Sequence, residues 1–231
     1  MALQTTAILD REHLSDTLWN LEEARLKGVP ADHPGVCDAL DWVASRAGLP
    51  GAYKEGLHAP TEADYSRRWY TPTGENGSPS GAGLSHVLAE ESLRALALWR
   101  PEQEWGRHPM MLRVRDRFGA MPYDHLGSPG TFCCARCSVA RWRALAAGRP
   151  QGWDEVVSDG LRSWSRECLE SGHWSRYPYY YTLLALSELP LAQVQGVRSA
   201  LRASAERRIG RLSDTDQQSR FRKRALEWVL A

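Results

Sequence analysis

Four absences bound what this chain can be. No apolar run approaches the roughly 20 residues that cross a bilayer, so no membrane span is expected. No stretch alternates apolar and polar residues as a half-buried strand does, and runs of β-branched residues are scarce, which excludes a sheet as the main architecture. The phosphate-cradling Gly loop, the dinucleotide fingerprint, the Gly-x-Ser-x-Gly elbow and the His-Glu-x-x-His helix are all missing, which removes the best-marked nucleotide, hydrolase and metalloprotease readings. Lysine is nearly missing too: three of the 29 basic residues are Lys, and the net charge is only +1. Nothing in that balance calls for a nucleic-acid partner.

The near-neutral total hides an asymmetry. Residues 1–64 hold five basic against eleven acidic residues, while 194–231 hold nine against four. The two segments read as solvated surfaces that can face each other, or the second as a basic contact surface centred on Arg220-Phe221-Arg222-Lys223-Arg224. The N-terminal residues carry no signal-peptide pattern. The five cysteines are an odd number, and Cys133, Cys134 and Cys137 crowd into five positions. Adjacent cysteines pair poorly with each other. A reducing, cytoplasmic setting with metal-bound or reactive thiols is therefore expected rather than a disulfide framework. Cys37, beside Leu40 on an apolar helix face, reads as core.

The pattern predicts an all-α chain. Helices are expected over 5–27, 33–47, 81–99, 103–118, 130–147, 152–170, 177–188, 191–211 and 215–230. A long irregular stretch, 48–80, separates the second from the third, and its Tyr53, Tyr65, Trp69 and Tyr70 argue that part of it packs. Three helices carry similar short patterns: Leu93–Leu98, Trp142–Ala146 and Tyr181–Leu186. That repetition implies one domain, 1–231, with stacked helical hairpins from about 80 to 231.

The helix at 130–147 is the centre of interest. Ser128 suits its N-cap, Pro129 its first turn and Gly148 the position past its end. At 100° per residue its three cysteines share a sector of roughly 100°, continued by Arg141, with Trp142 on the other side. A nearby helix N-terminus and an Arg favour thiolate.

A resemblance adds to this. Leu169-Glu170-Ser171-Gly172-His173-Trp174, leading into Tyr177-Pro178-Tyr179-Tyr180-Tyr181-Thr182-Leu183-Leu184-Ala185-Leu186-Ser187-Glu188-Leu189, resembles the Gly-x-Trp turn and helix of the repeats in squalene and terpene cyclases. The tyrosine-led helix is also similar to one in protein prenyltransferase β-subunits that carries a zinc-ligand His. Cys137-Ser138-Val139-Ala140-Arg141-Trp142 is similar to the helix that supplies a Cys ligand there. Over about 80–190 this implies a partial α/α toroid with a central cavity. The chain departs from those patterns at Tyr181, which stands for the His, at Ala135, which stands for an Asp, and at Cys168, which stands for the repeat's Gln. The acidic Asp-x-Asp-Asp motif is absent.

Zinc is the expected cofactor. Cys134 and Cys137 form a two-thiolate clip, and Cys168, His173 and Cys133 are the next donors for a tetrahedral site. An iron–sulfur cluster on Cys133, Cys134, Cys137 and Cys168 fits less well, because adjacent cysteines on one helix suit it poorly. Trp142, Trp174, Tyr177 and Tyr180 are expected to line an aromatic cavity, or else to pack as core. Arg141 would offer positive charge to an anionic substrate group, with Tyr181 and His125 as further catalytic candidates. His86 and Glu90, one turn apart, read as an acid–base pair or as an exposed i,i+4 pair. The leading expectation is a zinc-dependent transferase or cyclase-like enzyme acting on an apolar or isoprenoid-like substrate. The alternatives are a helical-repeat module with structural zinc that binds a peptide or small apolar molecule, and a thiol redox protein. A homo-oligomer is left open.

Overall fold

Helix starts in this protein are fixed by side-chain caps, and two of the decisive caps come from far away in sequence. The computed structural model describes residues 7–53, 57–77, 80–116, 129–170, 174 and 176–231. These residues form ten α-helices and no sheet strand, so the protein is all-α. The helices are α1 (Leu14–Leu26), α2 (Pro34–Ser45), α3 (Glu62–Ser66), α4 (Gly81–Trp99) and α5 (Pro109–Asp116), then α6 (Ala135–Gly148), α7 (Trp153–Ser165), α8 (Tyr179–Leu186), α9 (Leu191–Ile209) and α10 (Gln217–Leu230). No described helix is long and apolar enough to cross a membrane.

α4 has the predicted bounds because both its signals are local. Ser80 Oγ accepts from the Gly83 N–H at 3.1 Å, and Pro101 follows its last turn. The predicted helices at 103–118 and 152–170 each break. Pro109 starts a new helix after a tight turn at Trp105–Arg107, and α7 widens into an i→i+5 turn over Arg166–Glu170.

The 48–80 stretch is irregular, as expected, apart from α3 and two isolated bridges, but it acts as a clamp. Fully buried Asp64 accepts from the N–H groups of Leu14 and Ser15 at 3.0 and 3.2 Å and closes the start of α1. Glu75 accepts from the N–H groups of Tyr180 and Tyr181 at 3.1 and 2.8 Å and closes the start of α8. Each carboxylate sits where the helix dipole is positive.

α4 and α6 pack closely along their length and are buried on almost every side. Their register is parallel: His86 meets Cys137 near their starts, and Glu91 meets Arg143 further along. α6 touches α8, and α8 touches α10, so alternate helices are neighbours, with α5 and α7 laid against α6 and α9 against α10. α1 and α2 cover α4. The acidic N-terminal segment meets the basic C-terminal one, since Arg220 and Gln217 of α10 both reach Glu23 of α1. All-round burial normally demands an apolar helix. Here it includes Glu90, Glu91, Arg94, Arg141 and Arg143, so the core must satisfy charge internally.

Candidate metal centre

The helix that carries the cysteines starts later than its sequence implies. Its first residue is Ala135 and its N-cap is Cys134, at φ −147° and ψ 170°; Ser128 lies outside the described residues. Gly130, at φ +73°, turns the chain tightly against the backbone of α7, where a Cβ would have no room. Its carbonyl accepts from the Trp142 indole N–H at 2.9 Å. The Phe132 N–H then donates to Ser138 Oγ at 2.7 Å. These tertiary contacts hold 130–134 out of the helix. At the other end Gly148 is the last helical residue, and Arg149 takes the left-handed position, because Gly148 leaves room for the side chain of Met111.

Three sulfurs and an imidazole converge at this junction. Cys137, fully buried in the first turn of α6, places Sγ 3.4 Å from Cys134 Sγ and 3.6 Å from His86 Nδ1 of α4. The donor atoms of His86, Cys133 and Cys137 lie within 4.8 Å of one another. Tetrahedral zinc, with bonds of about 2.3 Å to sulfur and about 2.0 Å to nitrogen, separates its ligand atoms by roughly 3.5–3.8 Å. The spacings from Cys137 to Cys134 and to His86 need little adjustment, whereas Cys134 stands outside the group of donors that lie within 4.8 Å of one another and would have to close in on His86. Cys133 sits at φ +46°, a left-handed conformation that costs a non-glycine residue about 1 kcal/mol or more. In an extended chain neighbouring side chains point to opposite sides. The left-handed turn lets Cys133 and Cys134 both join the cluster.

The sulfurs share one negative charge. Hydrogen bonds from the thiols of Cys133 and Cys137, helped by the backbone N–H groups of Cys137 and Arg136, hold Cys134 far below the ordinary thiol range despite its burial. Its neighbours move the other way. The bond to Cys134, burial and the charge of Glu90 push Cys133 up to about 11, and Cys137 is raised further by its bonds to Cys133 and Cys134 and by burial. A thiolate at a helix N-terminus, backed by two thiols, is both a nucleophile and a ligand. His86 is walled by Tyr53, with ring centroids 3.8 Å apart, and by Phe132 at 4.9 Å. Glu90, one turn along α4, is buried with it, so the exposed-pair reading of His86 and Glu90 is corrected.

Of the expected ligands, Cys133, Cys134 and Cys137 come together. Cys168 does not join them: it is buried in the wide turn after α7, its thiol pushed up to about 12 by burial and Glu167. His125 and His173 lie outside the described residues. The sequence presents His86 as an acid–base partner of Glu90 or as half of an exposed i,i+4 pair. Its place beside the cysteines has no local signal, because Cys137 is 51 residues away and only the α4–α6 register joins them.

Of the expected cavity residues, Trp174 and Tyr177 border an open cleft of about 410 Å³ together with Tyr179 and Arg176, and the others lie away from it. Arg141 is buried, with Nη2 donating to the Arg115 carbonyl at 3.3 Å. Trp142 is fully buried and stacks on Tyr177 at 6.1 Å. Trp174 packs against Trp164 and Tyr179, and Tyr180 lies under Arg222. Tyr181 donates to Glu91 at 2.5 Å, inside a buried charge network. There Arg143 reaches Glu91 at 2.5 Å and Glu188 at 2.9 Å, while Arg94 reaches Glu22 at 2.9 Å and Glu188 at 2.6 Å. Burial alone would raise the Glu22 carboxyl, but Arg94, Arg143 and Arg25 outweigh it and hold it far below the usual range.

Compared with family models, with characterised proteins and with solved structures, the chain matches none.

Proposed function

We propose that the protein binds one zinc ion at the α4–α6 junction through His86, Cys133, Cys134 and Cys137, and that the ion fastens the 130–134 turn onto α4 within a helical binding module. The observation that carries this reading is the imidazole brought from a separate helix to 3.6 Å from a buried cysteine of a three-thiol turn. Four nitrogen and sulfur donors favour a closed, structural site over one with an open catalytic position. Of the aromatic residues expected around a substrate, Trp142 is fully buried and Tyr180 is covered by Arg222, and the cleft that Trp174 and Tyr177 border is shallow and charged, which weighs against a transferase or cyclase. The alternation α4, α6, α8, α10 is compatible with a partial toroid, but that likeness rests on the quoted residues alone.

Elemental analysis of the purified chain tests the proposal. About one zinc per chain is expected in the wild type and in Cys168→Ser, and a loss of zinc in His86→Ala and Cys137→Ser. A metal-free wild type, or zinc retained by His86→Ala, ends it.

A second reading has its own observation. Cys134 is an N-cap thiolate 3.4 Å from the buried Cys137 sulfur, an arrangement in which thiolate and thiol can form a disulfide with loss of two electrons and one proton to an external disulfide, which is reduced to thiols. A metal-free protein whose Cys134 alkylates rapidly below pH 7 would favour it.

A further inference from the structure

The basic run of α10 separates once its partners are traced. Arg220 pairs with Glu23, and Lys223 pairs with Asp214 at 2.6 Å. Arg222 donates to the Thr73 carbonyl at 2.5 Å and covers the Tyr180 ring. Arg224 differs. It makes no ion pair or hydrogen bond among the described residues, and it borders a cleft of about 480 Å³.

That cleft lies between α1, the C-terminal ends of α4 and α6, and α8. Arg25 and Arg149 share its rim with Arg224, and the paired Arg94 and Glu188 form part of its floor. One wall is apolar, built from Ala97, Leu98, Ala147 and Leu184. Around it and in the network beneath, the guanidiniums of Arg25, Arg94, Arg143, Arg149 and Arg224 outnumber the carboxylates of Glu22, Glu91 and Glu188.

Helix ends account for part of this excess. Arg149 Nε donates to the Ala146 carbonyl at 3.3 Å, and Arg25 lies in the last turn of α1. Arg224 is in the middle of α10 and serves no carbonyl. It is partly desolvated and faces the like charge of Arg25, both of which make its cationic state less favourable, while Glu22 and Glu188 act the other way from beneath. Glu22 and Glu188 are already bonded to Arg25, Arg94 and Arg143, so an anion that enters this rim finds the guanidinium fork of Arg224 open to it.

We propose that this cleft binds a small organic carboxylate with an apolar body, its head group between Arg224 and Arg149 and its body along Ala97, Ala147 and Leu184. A planar carboxylate matches a guanidinium fork. A phosphate dianion fits less well, because Glu188 repels it and the apolar wall gives it nothing. The site is independent of the zinc reading.

Isothermal titration of the full chain with octanoate, and separately with inorganic phosphate, tests this. Octanoate should bind the wild type, roughly tenfold or more weakly to Arg224→Gln and to Arg149→Gln, and with unchanged affinity to Arg202→Gln, whose side chain pairs with Glu206 on α9. Arg149, Arg224 and Arg202 are exposed, so these variants keep the fold. No octanoate binding, or unchanged affinity in both cleft variants, overturns the site. Phosphate binding as tightly as octanoate overturns the carboxylate assignment.

Discussion

At the N-terminal end of the α4–α6 pair stand an imidazole and three sulfurs; one to two turns further along the same two helices stand arginines and glutamates. Both groups are buried and both tie the same two helices together, but they are complete to different degrees. Glu188 is held by Arg94 and Arg143 at once, Glu91 by Arg143 and the Tyr181 hydroxyl, and Glu22 by Arg94 and Arg25. Every carboxylate there has its counter-charge inside the protein. The thiol end instead concentrates donor atoms around one shared negative charge and keeps Cys133 in a strained backbone conformation. An arrangement that costs strain and leaves ligand atoms facing one another is what the proposed zinc ion would complete. The charged end holds the fold by itself.

The largest test of that contrast is Arg143→Met. It takes from Glu91 its nearest counter-charge and leaves Glu188 to Arg94 alone, and stability in a denaturant titration should fall by about 3–5 kcal/mol, while the zinc binding proposed above should be unchanged in the folded fraction. Replacing Arg143 and Glu91 together with apolar residues should recover part of the loss. A fall below about 1 kcal/mol would mean that the network contributes little and that the contrast between the ends is misplaced.

Acid should separate a third region from both ends. His58, fully buried in the 48–80 clamp, is lowered to about 4 by burial and by the nearby charges of His108 and Arg46, against an ordinary value of 6.5. The unfolded chain therefore binds the proton first. The stability that neutral His58 contributes is fully present above pH 6.5 and is lost as pH falls toward 4, by roughly 3 kcal/mol at most. Glu22 stays ionised through this window, since Arg94, Arg143 and Arg25 hold it far below the usual 4.5, and Arg143 and Arg94 lower Glu188 in the same direction. In metal-free protein, His58→Leu should flatten the stability slope between pH 6.5 and 4. An unchanged slope would assign the acid sensitivity to another group.

What could be read beforehand divides along the same line. α4 was legible to the residue because Ser80 and Pro101, its start and stop, are its sequence neighbours. The start of α6 was misplaced because Pro129-Gly130 looks like a helix opening locally, while contacts with α7 and Trp142 turn it into a loop. The cysteine cluster was visible as spacing. Its fourth member, His86, was not, because a helix register is set by packing and no short pattern encodes it. The charge network was hidden for the same reason, its members being spread from Glu22 to Glu188, and Tyr181 was read as a catalytic position when its hydroxyl serves Glu91. The asymmetry between the acidic start and the basic end was visible, and the contact of Glu23 with Arg220 is its structural meaning.

The smallest effect is the sharpest test of the thiol end. Cys133→Gly and Cys133→Ala both delete the same sulfur, but only glycine adopts φ +46° without strain. If the strain is real, the metal-free glycine variant should be more stable than the alanine variant by about 0.5–1 kcal/mol, reduced somewhat by the greater freedom of glycine in the unfolded chain. Both should bind zinc more weakly than the wild type, and to the same extent, because each lacks one ligand. Stability and metal affinity then move in opposite directions in Cys133→Gly, which a purely structural cysteine would not produce. Equal metal-free stabilities would place the strain elsewhere in the turn. Zinc affinity retained in both variants would remove Cys133 from the ligand set and leave His86, Cys134 and Cys137 as a three-ligand site with an open position, the geometry of a catalytic metal.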